Sequence, residues 1–90
     1  MTWTIEISPL ARKNLDGLDR QAAQRILRYL HERIAPLEDP RSLGGALKGS
    51  RLGEFWKYRV GDYRIVSRVE HSRMLVVAVK IGHRRDIYRD

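Results

Sequence analysis

The sequence predicts an α+β fold: an N-terminal strand, a helical hairpin, then a three-stranded antiparallel meander, with both helices packed on one sheet face. Three observations predict it. Residues 2–8 alternate Trp3, Ile5 and Ile7 against Thr4, Glu6 and Ser8, the period-two pattern of a half-buried strand. Residues 20–34 instead space Ala22, Ala23, Ile26, Leu27, Leu30 and Ile34 three and four apart, a single apolar helical stripe. Beyond residue 53, two strand-like runs flank Gly61-Asp62 and a third follows, which gives the order β-α-α-β-β-β.

Each element has a local cause. Ser8 can cap a short helix whose first position, Pro9, needs no N–H there. That helix turns Leu10, Ala11 and Leu15 inward and stops near Gly17. Asp19 caps the second helix, and Pro36 ends it. Residues 36–50 hold two prolines and three glycines, so they form a connecting loop, with Leu43 and Leu47 as pins to the core. Strands at 54–60 and 63–70 join through Gly61-Asp62, where glycine at the first central position suggests a type II′ turn. A further turn falls near His71-Ser72. Residues 74–81 are almost continuously apolar, as for a strand covered on both faces, which places them inside the sheet with residues 2–8 on the far side. Residues 82–90 read as a polar tail.

Ninety residues are expected to form one domain, 1–90, near the low end of independent stability. The absence of cysteine excludes disulfides and thiolate metal sites. No stretch is long and apolar enough to span a bilayer, and the N-terminus lacks a signal-peptide pattern. A soluble, cytoplasmic protein is therefore expected. There is no Gly-rich phosphate loop, no His/carboxylate metal motif and no serine triad, so neither metal nor cofactor is expected. Charge carries the first functional signal. Lys and Arg number 18 against 11 Asp and Glu, a net of +7. Residues 1–40 are neutral, with six of each sign, while residues 41–90 hold twelve basic and five acidic residues and so the whole excess. Such asymmetry suits a polyanionic partner, nucleic acid or an acidic protein.

A two-residue loop at Gly61-Asp62 makes the hairpin register explicit. Val60 then faces Tyr63, Arg59 faces Arg64 and Lys57 faces Val66, and directly opposed residues share a face. One face holds Trp56, Tyr58, Val60, Tyr63, Ile65 and Val69. The other holds Phe55, Lys57, Arg59, Arg64, Val66 and Arg68, four cations with no carboxylate among them. A merely solvated face would tend to mix signs, whereas opposed arginines repel and a bound phosphate backbone offsets the repulsion. Directly after the last strand comes GHRRDIYR, residues 82–89. Arg84 and Arg85 can clamp phosphate, His83 titrates near neutrality, and Tyr88 can stack on a base.

FWKYRVGDYRIV followed by VVAVKIGHRRDIYR resembles the RelE/ParE toxin superfamily, and within it the RelE-like ribonucleases. The resemblance covers nearly the whole chain. It implies a RelE-like α+β fold, cleavage of mRNA in the ribosomal A site, and neutralisation by a RelB-like antitoxin. Carried over by position, the implied active-site residues are Lys57, Arg59, Arg64, Arg84 and Tyr88, with His83 beside them. Arg68 and Arg85 join as RNA-binding cations, and rRNA contacts would use the basic surface. The reaction so implied is metal-independent attack of a 2′-hydroxyl on the adjacent phosphate. Lys57 is the candidate base, and the general acid is open between His83 and Arg84. The chain departs from relatives in having Arg59 where some carry lysine, and in placing His83 next to the arginine. The rival expectation is a ParE-like inhibitor of DNA gyrase with the same fold and no nuclease site.

Overall fold

The structure, a computed structural model, describes residues 2–47 and 55–87. It contains β1 (Thr4–Ile7), α1 (Pro9–Asp16), α2 (Arg20–Tyr29), β2 (Gly45–Ala46), β3 (Phe55–Val60), β4 (Tyr63–Glu70) and β5 (Leu75–His83). They form one five-stranded mixed sheet in the order β1-β5-β4-β3-β2. β1 runs parallel to β5, and the other pairs are antiparallel. As expected, β5 is interior, with β1 on its far side.

Both predicted caps form. Ser8 Oγ accepts from Ala11 N–H at 3.1 Å and Asp19 Oδ1 from Ala22 N–H at 2.9 Å, each contributing about 1 kcal/mol to its helix. Ala11, Leu15, Ile26, Leu30 and Ile34 meet Tyr58, Val60, Ile65, Val69, Val76, Ala78 and Ile81 in the core between helices and sheet. Leu10 departs from expectation: it is 49 % exposed. Asn14 takes the inward place instead, its Oδ1 accepting the Ile81 N–H at 3.0 Å.

The second helix does not remain α-helical to Pro36. Leu30–Ile34 form a π turn closed by Ala35 N–H donating to Leu30 O. The wider turn buries Leu30, Ile34 and Ala35 together and presents the Ala35 carbonyl to the Trp3 N–H at 2.8 Å. The connection that follows is more ordered than a plain loop. Pro40–Ser42 make a 3₁₀ turn, and Gly45–Ala46 pair with Lys57 and Trp56 as an edge strand. Leu43 packs on the core as expected. Leu47 is only half-buried and is held through its backbone, its N–H donating to Phe55 O.

The hairpin register is the one its turn length dictates: Val60 faces Tyr63, Arg59 faces Arg64 and Lys57 faces Val66. Gly61 has φ 59°, the positive value that the first central residue of a II′ turn requires. His71–Arg73 form a 3₁₀ turn, and Met74 takes φ 47° before β5 begins at Leu75.

Two features of β5 were not legible. A bulge between Val66 and Ser67 leaves Val79 without a partner, so Val66 faces Lys80 while Ser67 faces Ala78. The strand also runs through Gly82 and His83, and residues 84–87 turn back instead of trailing off as a polar tail. Arg84 N–H donates to Asp62 O at 2.7 Å, and Asp86 and Ile87 N–H both donate to His83 O. Ile87 is buried, and its side chain lies against Gly82.

Candidate functional site: a cationic groove on the open sheet face

Alternation puts Lys57, Arg59, Arg64 and Arg68 on the face away from the helices, and the register adds Lys80 and Gly82 on β5. This face is not uniformly open. Val66, Leu75 and Val77 are buried on it, and Ile87 folds over Gly82. Three of the four hairpin cations converge. Lys57, Arg59 and Arg64 line a single groove of about 340 Å³ with Tyr58, Gly44 and Gly45. Among the described residues, no carboxylate lines it.

The groove's side wall comes from the 40–46 segment. Tyr58 hydroxyl donates to Pro40 O at 2.7 Å, and Trp56 Nε1 donates to Leu43 O at 2.6 Å. Burial pushes the Tyr58 phenol well above its ordinary pKa, so it stays a neutral donor here. Gly44 has φ 75°, and a Cβ there would overlap the Lys57 carbonyl oxygen and stand 2.9 Å from both Trp56 Nε1 and Tyr58 Cδ1. Only glycine allows this close approach without strain. The double glycine was visible in the sequence, but its partner strand was not.

Arg64 bends toward the turn, its Nη1 donating to Gly61 O at 3.1 Å and Tyr63 O at 3.0 Å. Two contacts fix the guanidinium and leave N–H groups of its five-donor fork for a ligand. Arg84 is exposed and does not line the groove, but its backbone is tied to Asp62 at the same hairpin turn.

Other candidates are placed differently. Arg68 is not an uncompensated cation: its Nε and Nη2 donate to Glu70 Oε2 at 3.2 and 3.1 Å, and Arg73 holds the other carboxylate oxygen. A carboxylate thus stands at the far end of the face, where none was expected. His83 faces Tyr63, with ring centroids 5.9 Å apart. That puts it on the sheet side opposite Arg64, apart from the groove. Its Nδ1 accepts the Arg85 N–H at 3.2 Å, which shapes the turn. Arg85 is exposed on that turn. Tyr88 lies outside the described residues. Lys80 was missed, because the apolar run 74–81 hides the bulge that decides its face.

Two helices thus lie on one side of a five-stranded mixed sheet, with a cationic groove on the other. Solved structures share this fold. The toxin–antitoxin complex RelBE2 of Mycobacterium tuberculosis superposes with a TM-score of 0.83 at 22 % identity, over 96 % of this chain and 95 % of that one. The isolated RelE toxin of E. coli gives 0.67 at 17 % identity, over 90 % and 83 %. In sequence, the chain is 27 % identical to Toxin RelG of Mycobacterium tuberculosis over 99 % of both. Residues 5–88 match the model of the ParE toxin of the type II toxin–antitoxin system parDE, and the chain belongs to that family.

Proposed function

We propose that this toxin is a ribosome-dependent endoribonuclease that cuts mRNA in the A site and so inhibits translation. The observation that carries the reading is the groove in which Lys57, Arg59 and Arg64 converge, with no carboxylate among its described lining residues. Cleavage by 2′-hydroxyl attack needs a base, stabilisation of charge on the phosphorane and a means of releasing the 5′-oxygen. Lys57 removes the 2′-hydroxyl proton. The 2′-oxygen bonds to phosphorus, and the P–O5′ bond breaks to leave a 2′,3′-cyclic phosphate and a 5′-hydroxyl. Arg59 and Arg64 neutralise the non-bridging oxygens, since arginine keeps its charge. Arg84, held beside the turn, stabilises charge on the leaving 5′-oxygen, which takes its proton from solvent as Lys57 returns one to solvent. His83 is on the other sheet side, which supports Arg84 in its place. Tyr88 stacks on a base, and Arg85 contributes phosphate contacts. These side chains supply the reaction without a metal.

Toxins of this fold solved as complexes with antitoxins, such as the intact RelBE of E. coli and the RelE–RelB complex of Pyrococcus horikoshii, support a RelB-like antitoxin as partner. Such a pair acts in the cytoplasm, where translating ribosomes are; among the described residues no helix is long and apolar enough to cross a membrane. The test is primer extension on a translated mRNA after inducing the chain alone. Extension is expected to stop at new 5′ ends within A-site codons. Trapped gyrase–DNA complexes without such ends would instead assign the gyrase-inhibiting activity.

A further inference from the structure

A second cationic groove lies around the sheet edge from the first. It occupies about 390 Å³ between α2 with its π turn and the tip of the β3–β4 hairpin. Arg25, Arg28, Tyr29, Glu32 and Arg33 line one side, and Arg59 with the turn lines the other. The helical residues fall at spacings of three and four, hence on one face. Arg25 and Arg33 are eight residues apart, roughly 12 Å along the axis. Glu32 pairs with Arg28 at 3.6 Å, so that couple is neutral. Arg25, Arg33 and Arg59 have no ion pair among the described residues.

Two details make this groove a prepared surface. Arg25 is packed against the hairpin turn: a Cβ on Gly61 would stand 2.8 Å from its Nη1. Gly61 thus serves the turn and also leaves room for the guanidinium. Tyr29 presents a neutral hydroxyl, because burial raises its pKa and Arg33 opposes that only in part. The groove is also continuous with the first. Arg59 lines both, and among the described residues β2 pairs with β3 at Trp56 and Lys57 and no strand neighbours the edge beside Arg59.

We infer that this groove is a second binding site for the sugar–phosphate backbone of RNA, reached from the first over the β3 edge through Arg59. The inference deepens the RNA-cleavage reading and rests on it for the identity of the polyanion. Composition favours RNA over an acidic peptide. Protein partners are held by buried apolar anchors, and here the apolar lining, Val60 and the Tyr29 ring, already belongs to or packs on the core. What remains for a partner is arginine.

The experiment is an anisotropy titration of a short 2′-O-methylated RNA, which cannot undergo 2′-hydroxyl cleavage, at several salt concentrations. Each lost phosphate contact lowers the salt slope by about 0.7 for a single strand. The double variant Arg25→Gln/Arg33→Gln should therefore lose about 1.4 from the slope and bind at least about ten-fold more weakly. Lysine at both positions should restore the slope, which separates charge from folding. Wild-type slope and affinity in the double glutamine variant would overturn the inference. So would unchanged RNA binding with weakened antitoxin binding, which would assign the groove to the protein partner. Failure of the nuclease reading is separate: a wild-type chain that binds this RNA but leaves translated mRNA uncut loses its catalytic assignment and keeps the groove.

Discussion

Arg59 and Arg64 stand directly opposite each other across β3 and β4, on one sheet face and in one groove. Opposed like charges destabilise a sheet by a few tenths of a kcal/mol or more, up to about 1 kcal/mol. Their convergence is therefore a cost to folding, in keeping with the binding role proposed for the groove.

Substitution should separate these roles. Arg64→Ala removes two hydrogen bonds to turn carbonyls but relieves the repulsion, so stability should change by less than about 1 kcal/mol. Ile65, the next residue, is fully buried on the other face, and Ile65→Ala should cost about 2–5 kcal/mol. Denaturant titrations beside a ribosome cleavage assay read both effects. Arg64→Ala should be folded and deficient in cleavage. Equal destabilisation by the two substitutions would contradict the placement of Arg64.

Gly44→Ala should damage fold and site together. It forces a side chain into a left-handed conformation, a strain of about 1–3 kcal/mol, and drives a Cβ into the Lys57 carbonyl. Gly45, whose Cβ would meet only the Lys57 side chain at 3.8 Å, is the control. Thermal unfolding should show a clear fall in Tm for Gly44→Ala and a small change for Gly45→Ala.

Ile87 should anchor the turn that carries Arg84. Ile87→Ala removes a buried side chain from over Gly82 and should cost about 2 kcal/mol, the low end for such a truncation. The Arg84 amide, bonded to Asp62 O at 2.7 Å, should then exchange with solvent faster. Unchanged protection of that amide in Ile87→Ala would show that the turn holds itself.

An antitoxin that covers the cationic face should associate more slowly as salt rises, because long-range charge attraction sets the encounter rate and is screened. Stopped-flow mixing of toxin and antitoxin measures this. Dissociation should vary less with salt, since buried apolar anchors hold the complex. An association rate independent of salt would argue against charge steering.

The hairpin was legible because its information is local. A two-residue loop at Gly61-Asp62 sets the register, and strand alternation then places Lys57, Arg59 and Arg64 together. The helix caps were legible for the same reason, with Ser8 and Asp19 acting on residues three positions away. Leu10 was misread because a helix as short as α1 leaves little periodicity to separate it from Ala11 beside it. The π turn was hidden because the spacing from Leu30 to Ile34 suits both helix types.

By itself the sequence determined the α+β order, the hairpin register and the charge on its outer face, since each follows from neighbours in the chain and the two-residue period of a strand. Only the tertiary structure decided which of those cations converge in one groove. Gly44 and Gly45 meet Lys57 across the β2–β3 pairing. The unpaired Val79 decides which side Lys80 takes, and the β4–β5 pairing sends His83 to the face away from Arg64. Each of these depends on what a distant segment places alongside, which hydrophobic pattern and turn chemistry do not encode.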